Sequence, residues 1–215
     1  MNLNPFWNKN RIEISRKAIH ITSIMIPLTY RYILGYKKDI SILILLGLLT
    51  ISVIVELLRL ENRNFRKYFR LFFGIMLRKH ERNDFTGASY LLTSALLCVA
   101  FLSAADPHIA FLAMAFLSIG DTFAAIIGMN FGKRTFIHSK KSIEGSIACF
   151  VSTFLFGICT LPTEMYPDAI HRMYPVVFVG AMAASVAEAV NIPIDDNVKI
   201  PILSGIAMIG TWLFI

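Results

Sequence analysis

Long apolar runs separated by short, mostly basic stretches set the pattern of this chain. Residues 40 to 58, 86 to 105, 107 to 129, 143 to 161, 174 to 190 and 198 to 215 are such runs. Each is close to the roughly 20 residues that cross about 30 Å of hydrocarbon. A single soluble core does not house six of them. Residues 18 to 34 form a weaker seventh, in which Ile19, Ile21, Ile24, Met25, Ile26, Leu28, Ile33 and Leu34 supply the apolar length. His20 and Arg31 sit near its ends, where polar tips can snorkel to the interface. The pattern predicts an all-α, polytopic membrane protein of about seven transmembrane helices, forming one integral-membrane domain over residues 1–215.

Residues 61–82 follow a different rule. Phe65, Tyr68, Phe69, Phe72, Phe73, Ile75, Met76 and Leu77 alternate with Arg63, Arg66, Lys67, Arg70, Arg78 and Lys79. This is the mixture of an amphipathic interfacial helix, with aromatics at the headgroup boundary and cations against anionic lipid. A plain surface brace fits the same pattern. Nucleic-acid binding does not, because no soluble domain is present to carry it.

Composition and charge sharpen the topology. In 215 residues, 56% are hydrophobic and 16% charged, with a mean hydropathy of +0.62. The net charge is +7, from 21 basic and 14 acidic side chains. With the N-terminus in the cytoplasm, the inner side receives Lys9, Arg11, Arg16 and Lys17, the eight cations from Arg59 to Arg82, Lys133, Arg134, Lys140, Lys141 and Lys199. The outer side receives only Arg31, Lys37, Lys38 and Arg172. That asymmetry predicts an N-in, C-out protein of the cell membrane. No cleavable leader is evident, since Asn2 to Lys17 is polar and no small-residue cleavage pattern follows. Cys98, Cys149 and Cys159 fall within predicted spans and read as small apolar side chains. Residues 162 to 173 read as a solvated outer loop.

Polar groups within the spans carry the candidate chemistry, because an intramembrane carboxylate is costly. Asp121 lies in the inner half of the 107–129 run, Glu144 opens the next, and Glu188 stands near the inner end of the 174–190 run. The same topology brings Asp195, Asp196, Arg16, Lys17 and His20 to that face, beside Lys133, Arg134, Lys140 and Lys141. Acidic groups facing basic ones suit a metal-bound polyphosphate. Asp121, Ala125, Gly128 and Gly132 recur at four, three and four residues, a face able to pack closely. Ala181, Ala184, Ser185 and Glu188 form a comparable face. Both faces also read as ordinary helix seams. Ser142 is a reasonable N-cap after Lys140-Lys141, and the helix it opens can offer backbone N–H groups to phosphate. Neither a P-loop nor a dinucleotide fingerprint is present.

Three patches give the chain a resemblance to a known family: Arg16-Lys17 with His20; Gly120-Asp121 with Ala124-Ala125, Gly128, Gly132-Lys133, Lys141-Ser142 and Glu144-Gly145; and Glu188 with Asn191, Asp195-Asp196-Asn197 and Pro201. It resembles the integral-membrane, CTP-dependent lipid-alcohol kinases, which include dolichol kinase, phytol kinase and the fungal type of diacylglycerol kinase. These look distantly related to phosphatidate cytidylyltransferase. The resemblance covers almost the whole chain, without the extra spans of long eukaryotic dolichol kinases.

It implies transfer of the γ-phosphoryl group of CTP to a prenol, polyprenol or diacylglycerol hydroxyl, with Mg²⁺. Asp121, Glu144 and Lys141 would be catalytic. Arg16, Lys17, His20, Gly128, Gly132, Lys133, Lys140, Ser142, Gly145, Asn191 and Asn197 would bind the nucleotide. Asp121, Glu188, Asp195 and Asp196 would hold the metal. The alternatives are a cytidylyltransferase making CDP-diacylglycerol and a non-enzymatic transporter or scaffold. The first is disfavoured because no glycine-histidine stretch precedes Asp195-Asp196. A monomer and a homodimer fit the seams equally.

Overall fold

The structure, a computed structural model, describes residues 21–74, 77, 81, 83–136, 139, 141–161 and 167–215. Arg16, Lys17, His20, Lys140, most of 75–82 and the outer-loop residues 162–166 lie outside the described residues. Apart from one isolated antiparallel bridge between Thr135 and Ser142, every described element is helical.

Helix α1 (Met25–Leu28) runs on as a π-helical turn over Thr29–Ile33. Then follow α2 (Lys38–Glu61), α3 (Arg63–Phe73), α4 (Gly87–Phe101, with a 3₁₀ turn to Ala104) and α5 (Pro107–Phe131). Helices α6 (Ile143–Cys159), α7 (Pro167–Ala189) and α8 (Asp196–Phe214) complete the chain. Four of these, α2, α4 with its extension, α5 and α8, are long and apolar enough to cross a bilayer. Helix α6 is apolar but has 17 residues, and α7 has 23 with Pro175 inside it.

Local signals explain the helix starts. Pro107 occupies the first turn of α5, where its missing N–H is not needed, and the Asp106 carboxylate accepts from His108 N at 2.6 Å. Ser142 caps α6, its Oγ accepting from Gly145 N at 3.1 Å. Asp195 caps α8 by accepting from Asn197 N at 2.9 Å. Between α1 and α2 the chain turns through Gly35 and Tyr36, both with positive φ. The left-handed Tyr36 is held by its hydroxyl on His108 Nδ1 at 3.0 Å and by its ring edge-on to Tyr30.

Helix α5 is the axis of the bundle. His108 to Ser118 are buried without interruption, as expected of a helix surrounded by others. Helices α6, α8, α4, α7 and α1 pack around it. Small residues set its distance from α6: a Cβ on Gly145 would lie 2.7 Å from the Ala124 carbonyl oxygen, and one on Gly128 2.8 Å from Ser142 Oγ. Helix α2, by contrast, leaves Leu43, Ile44, Leu46, Leu48, Ile51, Ile54, Leu57 and Leu58 exposed. A helix face so continuously apolar is unsuited to water and suited to hydrocarbon. The architecture is that of an all-α membrane protein.

Within the amphipathic segment expected over 61–82, Glu61 closes α2 and the structure places a helix over Arg63–Phe73. Asn62 opens it by accepting from Asn64 N and Phe65 N, at 2.9 and 3.2 Å. Tyr68, Leu71, Phe72 and Phe73 are exposed along it.

Candidate functional site

Three distant parts of the chain meet at Lys141. The residue sits one position before the α6 cap, and the Thr135–Ser142 bridge folds its loop back on itself. Phe136 N donates to Lys141 O at 3.2 Å, and Ile143 N to Arg134 O at 2.9 Å. So held, Lys141 Nζ reaches Glu188 Oε1 at the end of α7 (2.9 Å) and Asp196 Oδ2 at the start of α8 (3.1 Å). Glu188 is 3% exposed. Its other oxygen accepts from Ser146 Oγ at 2.8 Å, while Ser185 Oγ donates to Ser146 O at 2.7 Å. The polar seam thus stitches α6 to α7, with every strong acceptor matched by a donor.

Asp196 is shared. Its Oδ1 takes Lys199 Nζ at 2.8 Å, and Lys199, 4% exposed, also donates to Val190 O at 2.8 Å. Burial alone would lower the Lys141 pKa, but the carboxylates of Asp196, Glu188 and Asp121 outweigh it, and the ammonium is held above the ordinary lysine range. An ammonium has three N–H donors. Among the described residues, the contacts above engage two on each lysine.

These groups stand on a cavity of about 560 Å³, a size suited to a nucleotide-scale molecule. Lys141, Ser139, Asp195, Asp196 and Lys199 line one part of it, and Asn191 to Ile194 another. Asp84, Phe85 and Tyr90, from the α3–α4 connection and α4, also line it.

The expected site residues divide into groups. Lys141, Asn191, Asp195 and Asp196 line the cavity, and Glu188 joins through Lys141. Asp121, 6% exposed on α5, is outside the lining but within electrostatic reach of Lys141. Glu144 does not join them: its carboxylate accepts from Arg134 N at 3.4 Å on the loop. Lys133 is exposed. Gly128, Gly132, Ser142 and Gly145 form the close α5–α6 contact, and the Gly145 amide is already taken by Ser142. Asn197 is buried and donates to Gly87 O at 3.2 Å. Lys199, Ser146 and the Asp84–Tyr90 wall escaped the sequence pattern. Lys199 follows Asp196 by three residues, an i,i+3 pair, which was a readable hint.

A resident metal centre does not fit this arrangement well. Among the described residues no group of three or more His, Cys, Asp or Glu is placed to hold an ion. Asp196 is neutralised by Lys141 and Lys199, and Glu188 by Lys141 with Ser146. Asp195 accepts a backbone N–H at the α8 cap.

The chain is 26% identical over 196 residues, 88% of its length, to the uncharacterized protein RP860 of Rickettsia prowazekii (strain Madrid E), of which the match covers 90%. No family model and no solved structure matches it.

Proposed function

We propose that this protein transfers the γ-phosphoryl group of CTP, supplied as its magnesium salt, to the hydroxyl of a membrane lipid alcohol, a prenol, polyprenol or diacylglycerol. It would do so at the cytoplasmic face of a seven-span, N-in/C-out bundle in the cell membrane. The observation that carries the reading is the pair of ammonium groups, Lys141 and Lys199, at one cavity. Both line it, and the carboxylates of Asp196, Glu188 and Asp121 keep Lys141 charged against the cost of burial. Cations fixed in a partly dry site are what a transferring phosphoryl group needs, since such catalysis is mainly positioning and charge stabilisation.

In this reading the polyphosphate enters the cavity and is met by the ammonium groups of Lys141 and Lys199. The lipid stays in the bilayer and presents its hydroxyl laterally. Its oxygen bonds to the γ-phosphorus as the bond from that phosphorus to the β–γ bridging oxygen breaks, and CDP leaves. The hydroxyl proton passes to the Asp121 carboxylate. Magnesium belongs to the nucleotide substrate here, and no residue is assigned to it.

The test is purified protein in liposomes, given CTP labelled at either the γ or the α phosphorus and offered prenol, diacylglycerol or phosphatidate separately. Label from the γ position in an alcohol is the expected result. Label from the α position in phosphatidate would replace the kinase with a cytidylyltransferase. No label in any lipid would remove both enzymes and leave a transporter or scaffold.

A further inference from the structure

Among the described residues the largest fully buried side chain is not apolar: it is Arg59, 1% exposed, near the end of α2. Its partner Glu56, 3% exposed, receives Arg59 Nε at 2.8 Å and also Nη2. Removing such a pair from water costs several kcal/mol per ion, and the gain is realised only where the remaining donors and acceptors are also matched.

Here they are matched by one short segment. Arg59 Nη1 donates to Glu81 O at 2.7 Å, and Nη2 also donates to Asp84 O. The second Glu56 oxygen accepts from Thr86 N at 3.1 Å and from the Thr86 hydroxyl. Glu81, itself buried, accepts from Gly87 N at 3.0 Å. The backbone of Glu81, Asp84, Thr86 and Gly87 is therefore pinned by charge-assisted hydrogen bonds, which are stronger than neutral ones. Helix α3 closes over this arrangement, with Arg66 Nε on Arg59 O at 3.0 Å and Phe69 under the guanidinium.

The segment so pinned supplies a wall of the cavity, carrying Asp84 and Phe85, with Tyr90 a turn further on. Gly87 O accepts from Asn197, the neighbour of Asp196, and a Cβ on Gly87 would stand 2.8 Å from Asn197 Nδ2. The wall and the lysine–carboxylate cluster are thus fastened together at close range. One cavity is thus lined both by the aromatic rings of Phe85 and Tyr90 and by the ammonium groups of Lys141 and Lys199, which suit a ring and phosphates respectively.

We propose that Arg59, with Glu56 and Glu81, is a positioning group that holds Phe85 and Tyr90 as the ring-binding wall of the cavity. It governs affinity for the base of a nucleotide and not the transfer step. This rests on the phosphoryl-transfer reading above.

The experiment compares binding of MgCTP and of magnesium tripolyphosphate, which lacks base and sugar, to the full chain in liposomes, together with KM and kcat for lipid phosphorylation. Wild type binds MgCTP more tightly than magnesium tripolyphosphate. Arg59→Met and Phe85→Ala each weaken MgCTP binding about tenfold, the scale of one lost ring contact. Both raise KM in step, leaving kcat and tripolyphosphate affinity unchanged. Arg59→Lys, which keeps the charge but not the planar fork, recovers only part of the loss. Phe85→Ala leaves the buried pair intact, so it carries the test even where Arg59→Met fails to fold. Equal weakening of both ligands, an unaffected Phe85→Ala, a loss confined to kcat, or wild type that prefers neither ligand would overturn the inference while phosphate binding stands. Wild type that binds neither ligand would overturn the phosphoryl-transfer reading and the inference together.

Discussion

Replacing Lys141 by Met tests the central claim that one ammonium neutralises two carboxylates. The substitution keeps much of the side-chain volume but leaves Glu188, whose side chain is 4% exposed, without a cation among the described residues and with the Ser146 hydroxyl as its donor. Asp196 keeps Lys199 and so loses less. Breaking a buried ion pair by removing one partner costs about 3–5 kcal/mol. Lys141 is itself 35% exposed, so water re-enters and the expected loss falls to about 2 kcal/mol. For a chain of this size that is a fall in melting temperature of roughly 4–8 °C, read by thermal unfolding in detergent. Lys141→Met with Glu188→Gln should recover at least half of it, because the amide keeps an acceptor for Ser146 and carries no charge. Phosphoryl transfer should be lost in both variants, which separates the structural part of Lys141 from its part in the reaction.

The pH dependence has a definite sign. The folded-state pKa of Lys141 is raised, so its stabilisation is complete below about pH 10, the ordinary lysine value, and is lost only as pH rises through the raised one. The stability gap between wild type and Lys141→Met should therefore persist at neutral pH and close only at strongly alkaline pH. A neutral Lys141→Met, or losses that simply add in the double variant, would refute the account.

Other outcomes follow from the same geometry. Gly145→Ala forces a methyl toward the Ala124 carbonyl, which is backbone and cannot swing away, and should destabilise by about 1–3 kcal/mol. Gly47→Ala, with nothing within 4 Å, should be neutral or slightly stabilising in the same melting assay. Asp121→Asn should abolish lipid phosphorylation while leaving MgCTP affinity within about twofold, because the carboxylate is assigned to the proton and not to the phosphates; normal turnover would remove that assignment. Single cysteines at Lys133 and Lys37, introduced after replacing the native three, should react with a membrane-impermeant reagent from the cytoplasmic and the outer side respectively. Labelling of both from one side would contradict the predicted N-in, C-out arrangement.

The helices are readable in the sequence because hydrocarbon imposes a length and a polarity on each segment that crosses it. The apolar runs beginning near 40, 86, 107, 143 and 198 coincide with α2, α4, α5, α6 and α8. The caps at Ser142 and Asp195 and the small-residue face of α5 are local or periodic features, and such features are written in adjacent residues. Partnership is another matter. Arg59 counted as one more inner-side cation, yet it is buried, because its acceptors lie 22 and 25 residues ahead at Glu81 and Asp84. Lys199 read as a positive-inside residue, and Lys141, Glu188 and Asp196 as charges sharing a membrane face. Only the packing of α6, α7 and α8 decided which of them meet, Lys141 with Glu188 and Asp196, and Lys199 with Asp196. Burial and pairing depend on what the rest of the chain places opposite a side chain. A linear pattern can locate a charge in the membrane, but the tertiary fold selects its partner.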